Sequence, residues 1–326
     1  MFKFKEYIDI VNRTITGISL PDEPKGLYQP ITYTMALGGK RLRPVLVLMS
    51  CDAFGSQSAD VLNKAVIPAV GLEMFHNFTL LHDDVMDRSP LRRGKATVHV
   101  KWNENTAILS GDAMLTLATH FISQAEPLKP VLDLFNNTAL QIYEGQQFDM
   151  DFESRLDVSV DEYINMIRLK TSVLLGCACG MGSILAGAGD ADCKALYSFG
   201  LNIGLAFQLQ DDLLDVYGDE LTFGKPIGGD IMNNKKTYLL INALNKADGP
   251  DKDELLGWIN AENPCRDDKI SAVTAIYNRL GIRNETESLI ATYQQKALDC
   301  LDGIGITYEA QGSFRDFVTM LMNRKK

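Results

Sequence analysis

The sequence predicts an all-α protein, and three observations carry that prediction. Apolar residues recur at helical spacing along most of the chain. Alternating strands with Asn-Gly or Asp-Gly turns are absent. Several periodic segments are apolar almost all round, which places them inside a bundle with other helices about them. From Lys64 to Asp87, the residues Val66, Ala69, Val70, Phe75, Phe78 and Leu81 keep close to the spacing of a buried helix, and Pro68 falls near its start, where proline is tolerated. Asn105–Ala125, Val131–Met150, Val160–Gly187 and Ala191–Val216 read the same way. Prolines and glycines punctuate the chain between helices at Pro21–Pro30, Ser89–Gly94 and Gly218–Gly229. No low-complexity linker or short repeat divides the sequence, so residues 1–326 are expected to form a single domain, with residues 245–326 as packing and periphery.

With 326 residues, 46% of them hydrophobic, the chain can bury a large core. A net charge of -10 argues against nucleic acid as a partner. An anionic ligand would need positive charge from local Lys/Arg clusters or from metal. The six cysteines include no CxxC pair and read as buried free thiols of a reducing cytoplasm rather than as zinc ligands or disulfides. The N-terminal MFKFKEYIDIVNRTITG lacks a secretory apolar core. The stretch VLLGCACGMGSILAGAG is glycine-rich, unlike the about 20 strongly apolar residues of a membrane span. A soluble cytoplasmic protein with no stable membrane span is expected.

Two acidic clusters resemble one another. LLHDDVMD carries Asp83, Asp84 and Asp87; LQDDLLD carries Asp211, Asp212 and Asp215. Residues four apart on a helix share a face, about 5.4 Å apart along the axis. Like charges at that spacing repel, and carboxylates at a helix C-terminus oppose the macrodipole. Two clusters that break local rules in the same way imply a compensating cation. Hard oxygen donors without Cys or an abundance of His point to Mg²⁺ or Mn²⁺.

Cations accompany both clusters. GGKRLRP places Lys40, Arg41 and Arg43 at a glycine-led helix start, a setting suited to phosphate. Arg92 and Arg93 follow the first cluster, and GKPIGGDIMNNKKT, with Lys225, Asp230, Lys235 and Thr237, follows the second. That order fits a cavity in which carboxylates hold Mg²⁺, the metal holds a diphosphate, and Lys and Arg neutralise the remainder.

The set GGKRLRP, LLHDDVMD, RRG, LKT, FQLQDDLLD and GKPIGGD, in this order from Gly38 to Thr237, resembles the trans-type isoprenyl diphosphate synthases. The resemblance implies the isoprenoid-synthase helical bundle around a central active-site cavity, usually as a homodimer. It also implies Mg²⁺-dependent condensation of isopentenyl diphosphate with an allylic diphosphate. Carried over residue by residue, Asp83, Asp87 and Asp211 would coordinate metal, supported by Asp84, Asp212 and Asp215. Arg92, Lys170, Thr171, Gln208, Lys225 and Lys235 would hold the allylic diphosphate. Lys40, Arg43, His76 and Arg93 would hold isopentenyl diphosphate. Asp83, Asp87, Asp211, Lys170 and Arg92 would carry catalysis. A terpene cyclase would replace the second acidic motif, and a non-catalytic partner subunit would lose one cluster; this chain keeps both.

Product length is expected to depend on residues one turn or more before Asp83: Phe78, Thr79 and, further back, Phe75. One helical turn, about 5.4 Å, matches one isoprene unit. A single near aromatic, with no insertion inside DDVMD, resembles synthases of C20 or C15 products. Geranylgeranyl diphosphate is the expected product, ahead of farnesyl diphosphate and longer polyprenyl diphosphates.

Overall fold

In the computed structural model, residues 4–55, 59–218 and 227–322 are described, and helices account for most of them. In chain order these are α1 (Phe4–Thr16), α2 (Lys25–Ala36), α3 (Leu42–Phe54), α4 (Ala59–Met86), α5 (Val98–Lys101), α6 (Glu104–Ile122), α7 (Leu128–Glu153), α8 (Val160–Ile167), α9 (Val173–Leu185) and α10 (Asp190–Tyr217). There follow α11 (Gly229–Met232), α12 (Tyr238–Lys246), α13 (Gly249–Ile259), α14 (Arg266–Arg279), α15 (Ile282–Asp299) and α16 (Tyr308–Met322). The all-α class expected from periodicity is what forms.

Several local expectations are corrected. The helix holding Pro68 begins at Ala59, so this proline lies in its interior, and Pro30 lies inside α2. An interior proline costs about 3 kcal/mol. In α4 that cost is outweighed by burial of Pro68 itself and of neighbours such as Ala69, Val70, Leu72 and Phe75. The segment read as one helix from Val160 to Gly187 is interrupted by a π-helical turn at Arg168–Ser172, where the Val173 amide donates to the carbonyl of Arg168, five residues back. Ser89–Gly94, read as a helix-free connection, includes half of a small hairpin. Strands β1 (Leu91–Arg92) and β2 (Lys95–Ala96) pair antiparallel, with Leu91 opposite Ala96. Its two loop residues, Arg93 and Gly94, have φ of 51° and 73°, as a type I′ turn requires.

The chain forms two compact units. One comprises Met1–Asn136, Cys177–Tyr197 and Gly303–Gly312; the other comprises Asn137–Gly176, Ser198–Asp302 and Ser313–Lys326. In the first, α4 packs against α3 and α6. The approach of α6 is close enough that a Cβ on Gly71 would sit 2.8 Å from the Ile122 side chain. Tyr7 donates to Asp52 Oδ2 at 2.7 Å, tying α1 to α3. In the second, Tyr163, Met166, Leu209, Leu213, Leu239, Leu240, Leu255, Val273, Ile276, Tyr277, Ile282 and Ile290 share one core. Residues beyond 245 therefore supply part of that core and are more than periphery.

Candidate functional site

In the first unit the glycine-led loop before α3 gathers cations. Gly38 and Gly39 have φ of 77° and 140°, conformations that disfavour side chains. A Cβ on Gly39 would lie 2.9 Å from the Arg93 guanidinium, which donates to the carbonyl of Gly38. Arg43 Nη1 lies 3.0 Å from His76 Nε2. Burial pushes the His76 pKa well below its ordinary value, and the neighbouring Arg43, Arg93, Arg92 and Arg41 push the same way. The ring is therefore neutral, and Nε2 accepts from Arg43. The structure thus brings Arg43, His76 and Arg93 together beside the loop that carries the exposed Lys40.

Arg41, between Lys40 and Arg43, does something else. It is buried at the start of α3 and donates to Glu73 Oε1 at 2.8 Å, the Met35 carbonyl at 2.9 Å and Asn12 Oδ1 at 3.1 Å. Glu73 also accepts from Asn77. The pair pins the cation loop to α4 three residues before His76. Removing one partner strands a buried charge, so Glu73→Ala is expected to destabilise the protein by about 3–5 kcal/mol in denaturant unfolding. Replacing both, as Arg41→Met with Glu73→Leu, is expected to recover much of that loss.

The first acidic cluster ends α4. The Ser89 amide donates to the Asp84 carbonyl and the Arg88 amide to the Val85 carbonyl, closing the helix with Arg88 at φ 50°. The three carboxylates separate by environment. Asp84 is buried and held by Arg92, whose Nε reaches its two oxygens at 2.9 and 2.8 Å. Burial raises the Asp84 pKa despite that pair. Asp83 is half-buried and Asp87 exposed. Before the cluster on the same helix, Phe78 packs on His82 at 4.8 Å and on Phe75 at 5.6 Å, and Phe75 packs edge-on against Phe135 at 5.1 Å. Thr79 Oγ1 donates to the His76 carbonyl.

In the second unit, the π-helical turn carries Lys170 and Thr171, and π turns inside helices concentrate at functional sites. Two close approaches frame it. A Cβ on Gly145 of α7 would meet the Lys170 amide nitrogen at 2.3 Å, and one on Gly204 of α10 would meet Ser172 at 2.6 Å. Gln208, four residues after Gly204, accepts from Thr171 Oγ1 at 3.0 Å and donates to Asp212 Oδ1 at 2.9 Å. The other oxygen of Asp212 accepts from the buried Tyr163 hydroxyl. Burial raises Asp212 to a pKa of about 7, with Asp230 adding to the rise and Lys235 opposing it.

Asp149, which periodicity alone left unremarked, pairs with Lys170. Burial pushes the Asp149 carboxyl up, but Lys235 and Lys170 together hold it below its ordinary value. Asp215 is buried and accepts from the Asp230 amide at 2.9 Å, whereas Asp211 is half-buried. Lys170, Thr171, Gln208, Asp212 and Lys235 thus fall within one network, to which sequence reasoning did not assign Asp149 or Tyr163. The spacing of Gly145 and Asp149, four apart on α7, was the available signal. Lys225 lies outside the described residues.

The donor chemistry fits Mg²⁺. Each acidic cluster keeps its first aspartate, Asp83 or Asp211, only half-buried, while the second is fixed by side-chain hydrogen bonds. Among the described residues no group of three or more His, Cys, Asp or Glu side chains forms a ready-made metal cage. Mg²⁺ commonly takes one or two carboxylates and completes its octahedron with water and phosphate oxygens.

Comparison with known proteins follows the same outline. The polyprenyl synthetase family model matches residues 24–277. A geranylgeranyl diphosphate synthase of Sulfolobus acidocaldarius is 33% identical over 99% of this chain and 98% of its own length. One of Methanosarcina mazei is 43% identical over 74% of this chain and 73% of its own. A crystal structure of a geranylgeranyl pyrophosphate synthase superposes with a TM-score of 0.94 at 44% identity, covering 100% of both chains.

Proposed function

The chain belongs to the polyprenyl synthetase family, and from that membership we propose that it joins isopentenyl diphosphate to allylic diphosphates and releases geranylgeranyl diphosphate. It is a prenyltransferase, and similarity to geranylgeranyl diphosphate synthases along nearly the whole chain supports the C20 product. The observation that carries the reading is the neutral His76 set among Arg43 and Arg93 beside the Gly38–Gly39–Lys40 loop. This is a compact cluster of cations in a protein whose net charge is -10. It suits isopentenyl diphosphate.

Lys170, Thr171, Gln208 and Lys235, with Arg92 and Lys225, are assigned to the allylic diphosphate, and Asp83, Asp87 and Asp211 to Mg²⁺. Asp84, Asp212 and Asp215 act behind them, fixing Arg92, Gln208 and the Asp230 amide. When bound, the ions neutralise charge on the departing pyrophosphate. Lys170 and Lys235 add fixed positive charge where negative charge develops. Apolar walls, including Phe78, keep water from the allylic cation. The double bond of isopentenyl diphosphate then attacks that cation, and a proton is lost; the pyrophosphate released by ionisation is its acceptor in this reading.

No described helix is long and apolar enough to cross a membrane. None of the six cysteines forms a disulfide, which supports a reducing cytoplasm; Cys51, Cys177 and Cys179 are buried as expected, whereas Cys193 and Cys300 are half-buried and Cys265 is exposed. Exposed Ile108 and Leu109 on α6, and exposed Leu140 and Tyr143 on α7, support a homodimer. We read residues 1–326 as one catalytic domain, supported by a family match that runs through sequence of both compact units.

The test is product analysis with Mg²⁺, isopentenyl diphosphate and each of dimethylallyl, geranyl and farnesyl diphosphates. A C20 diphosphate is expected from all three primers, and EDTA is expected to abolish its formation. Cyclic hydrocarbon from an allylic diphosphate alone, or no consumption of isopentenyl diphosphate, would overturn the assignment. Growth that ends at C15 would move the product, not the reaction, to farnesyl diphosphate.

A further inference from the structure

We infer that the start of α14 is a positioning platform for the Asp230–Lys235 segment, with the buried Lys269 as its central group. Lys269 is 2% exposed, one of the largest fully enclosed side chains of the protein. A buried ammonium is costly unless its protons are engaged. Here Nζ donates to Asn234 Oδ1 at 2.7 Å and approaches the Met232 carbonyl at 3.4 Å. Both acceptors are neutral, and one is the last residue of α11, where a cation complements the helix C-terminus.

Asn234 itself is held in the left-handed region, at φ 51°, and its side-chain Nδ2 donates to the Ile259 carbonyl at 2.9 Å. The residue after it is Lys235, whose backbone amide donates to the Asp230 carbonyl at 2.9 Å.

Two neighbours on α14 secure the other end of the same segment. Arg266 donates to the Ile227 carbonyl. Ile270 lies so close to Gly228 that a Cβ there would meet its side chain at 2.5 Å. One face of α14 therefore grips the backbone at 227, 228, 232 and 234, while Asp215 holds the Asp230 amide between them. Lys235 bears on both Asp149 and Asp212. Fixing the backbone around Lys235 fixes where its ammonium can go. Lys269 is a positioning residue, acting through Asn234 and Met232 and not on substrate. The sequence carries a trace of this. Lys269, Val273, Ile276 and Tyr277 share the buried stripe of α14, so a lysine stands where an apolar residue would suffice.

This inference rests on the reading of Lys235 as a group that holds the allylic diphosphate, and the test separates the two. Lys269→Met keeps the side chain's length and removes the donor. It is expected to raise KM for geranyl diphosphate by about tenfold, leaving KM for isopentenyl diphosphate within about twofold. It is also expected to speed amide hydrogen exchange across 230–237. Arg266→Ala, at an exposed anchor, is expected to shift the same quantities in the same sense by a smaller factor, and it decides the matter if Lys269→Met does not fold. Unchanged exchange at 230–237 in a folded variant overturns the platform, as does an equal rise of both KM values. Lys235→Ala is the control. If it leaves the geranyl diphosphate KM unchanged, the assignment of Lys235 falls, and the exchange data alone then decide whether α14 orders the segment.

Discussion

Asp83→Ala and Asp211→Ala are each expected to lower kcat by about a thousandfold, ~4 kcal/mol of transition-state stabilisation, and to raise the Mg²⁺ concentration needed for half-maximal rate. The two motifs read alike in sequence, yet their carboxylates have different surroundings. Asp212 accepts from Tyr163 and Gln208, and Asp215 accepts from the Asp230 amide. Removing either leaves buried donors without their acceptor, so Asp212→Ala and Asp215→Ala are expected to lower Tm markedly. Asp83 stands in the last turn of α4 among like charges, and Asp211 stands beside Asp212 and Asp215 further from the end of α10; like-charge repulsion at both, and the helix dipole at Asp83, make a carboxylate unfavourable for folding. Their alanine variants are therefore expected to keep or slightly raise Tm while losing activity. Calorimetry and Mg²⁺ titration of the rate, run on the four variants together, separate the two classes. A larger change in Mg²⁺ requirement for Asp212→Ala than for Asp211→Ala would reverse the assignment of metal ligands.

What the sequence disclosed and what it withheld divide along physical lines. Helical periodicity located α4, α6, α7 and α10 to within a few residues, because burial of an apolar face is a local pattern repeated over many turns. It misplaced the start of α4 because Pro68 looked like a first-turn residue, whereas tertiary burial carries the helix through it. The π turn at Arg168–Ser172 had no periodic signature, since one extra residue in a helix hardly disturbs an apolar run. Among charged residues, spacing identified the chemistry but not the partition of roles. Arg41 and Arg43 are two residues apart in one motif. Arg41 is enclosed by Glu73, Met35 and Asn12, while Arg43 meets His76. Arg41 precedes α3 with a left-handed backbone, φ 51°, and that conformation, which helps set where its side chain goes, is not written in composition. Lys269 and Asp149 were missed for a related reason. Each is a charged residue on the enclosed stripe of a half-exposed helix, visible only when a charge on that stripe is treated as a question.

Phe78→Ala is expected to shift the principal product from C20 to C25 or longer, read by mass spectrometry of the released diphosphates. Growth of one isoprene unit requires about one helical turn of free depth, 5.4 Å along α4. Phe78 stands a turn before the acidic cluster, and its ring is packed between His82 and Phe75. Truncating it removes the nearest aromatic wall and opens a cavity, at a stability cost of about 3–5 kcal/mol. Phe78→Leu is the milder variant if that cost proves too great. What lies beyond is also aromatic: Phe75 is fully buried and braced edge-on by Phe135 at 5.1 Å. The lengthened chain should therefore meet a second stop, and the product should not become indefinitely long. This order has a consequence that tests it. Phe75→Ala alone should leave the product at C20, because Phe78 still closes the path before it. Phe78→Ala combined with Phe75→Ala should give longer products than Phe78→Ala. If Phe75→Ala alone lengthens the product, or the double variant matches Phe78→Ala, then the growing chain does not run along this face of α4. Phe78 would then be core packing, with no part in setting product length.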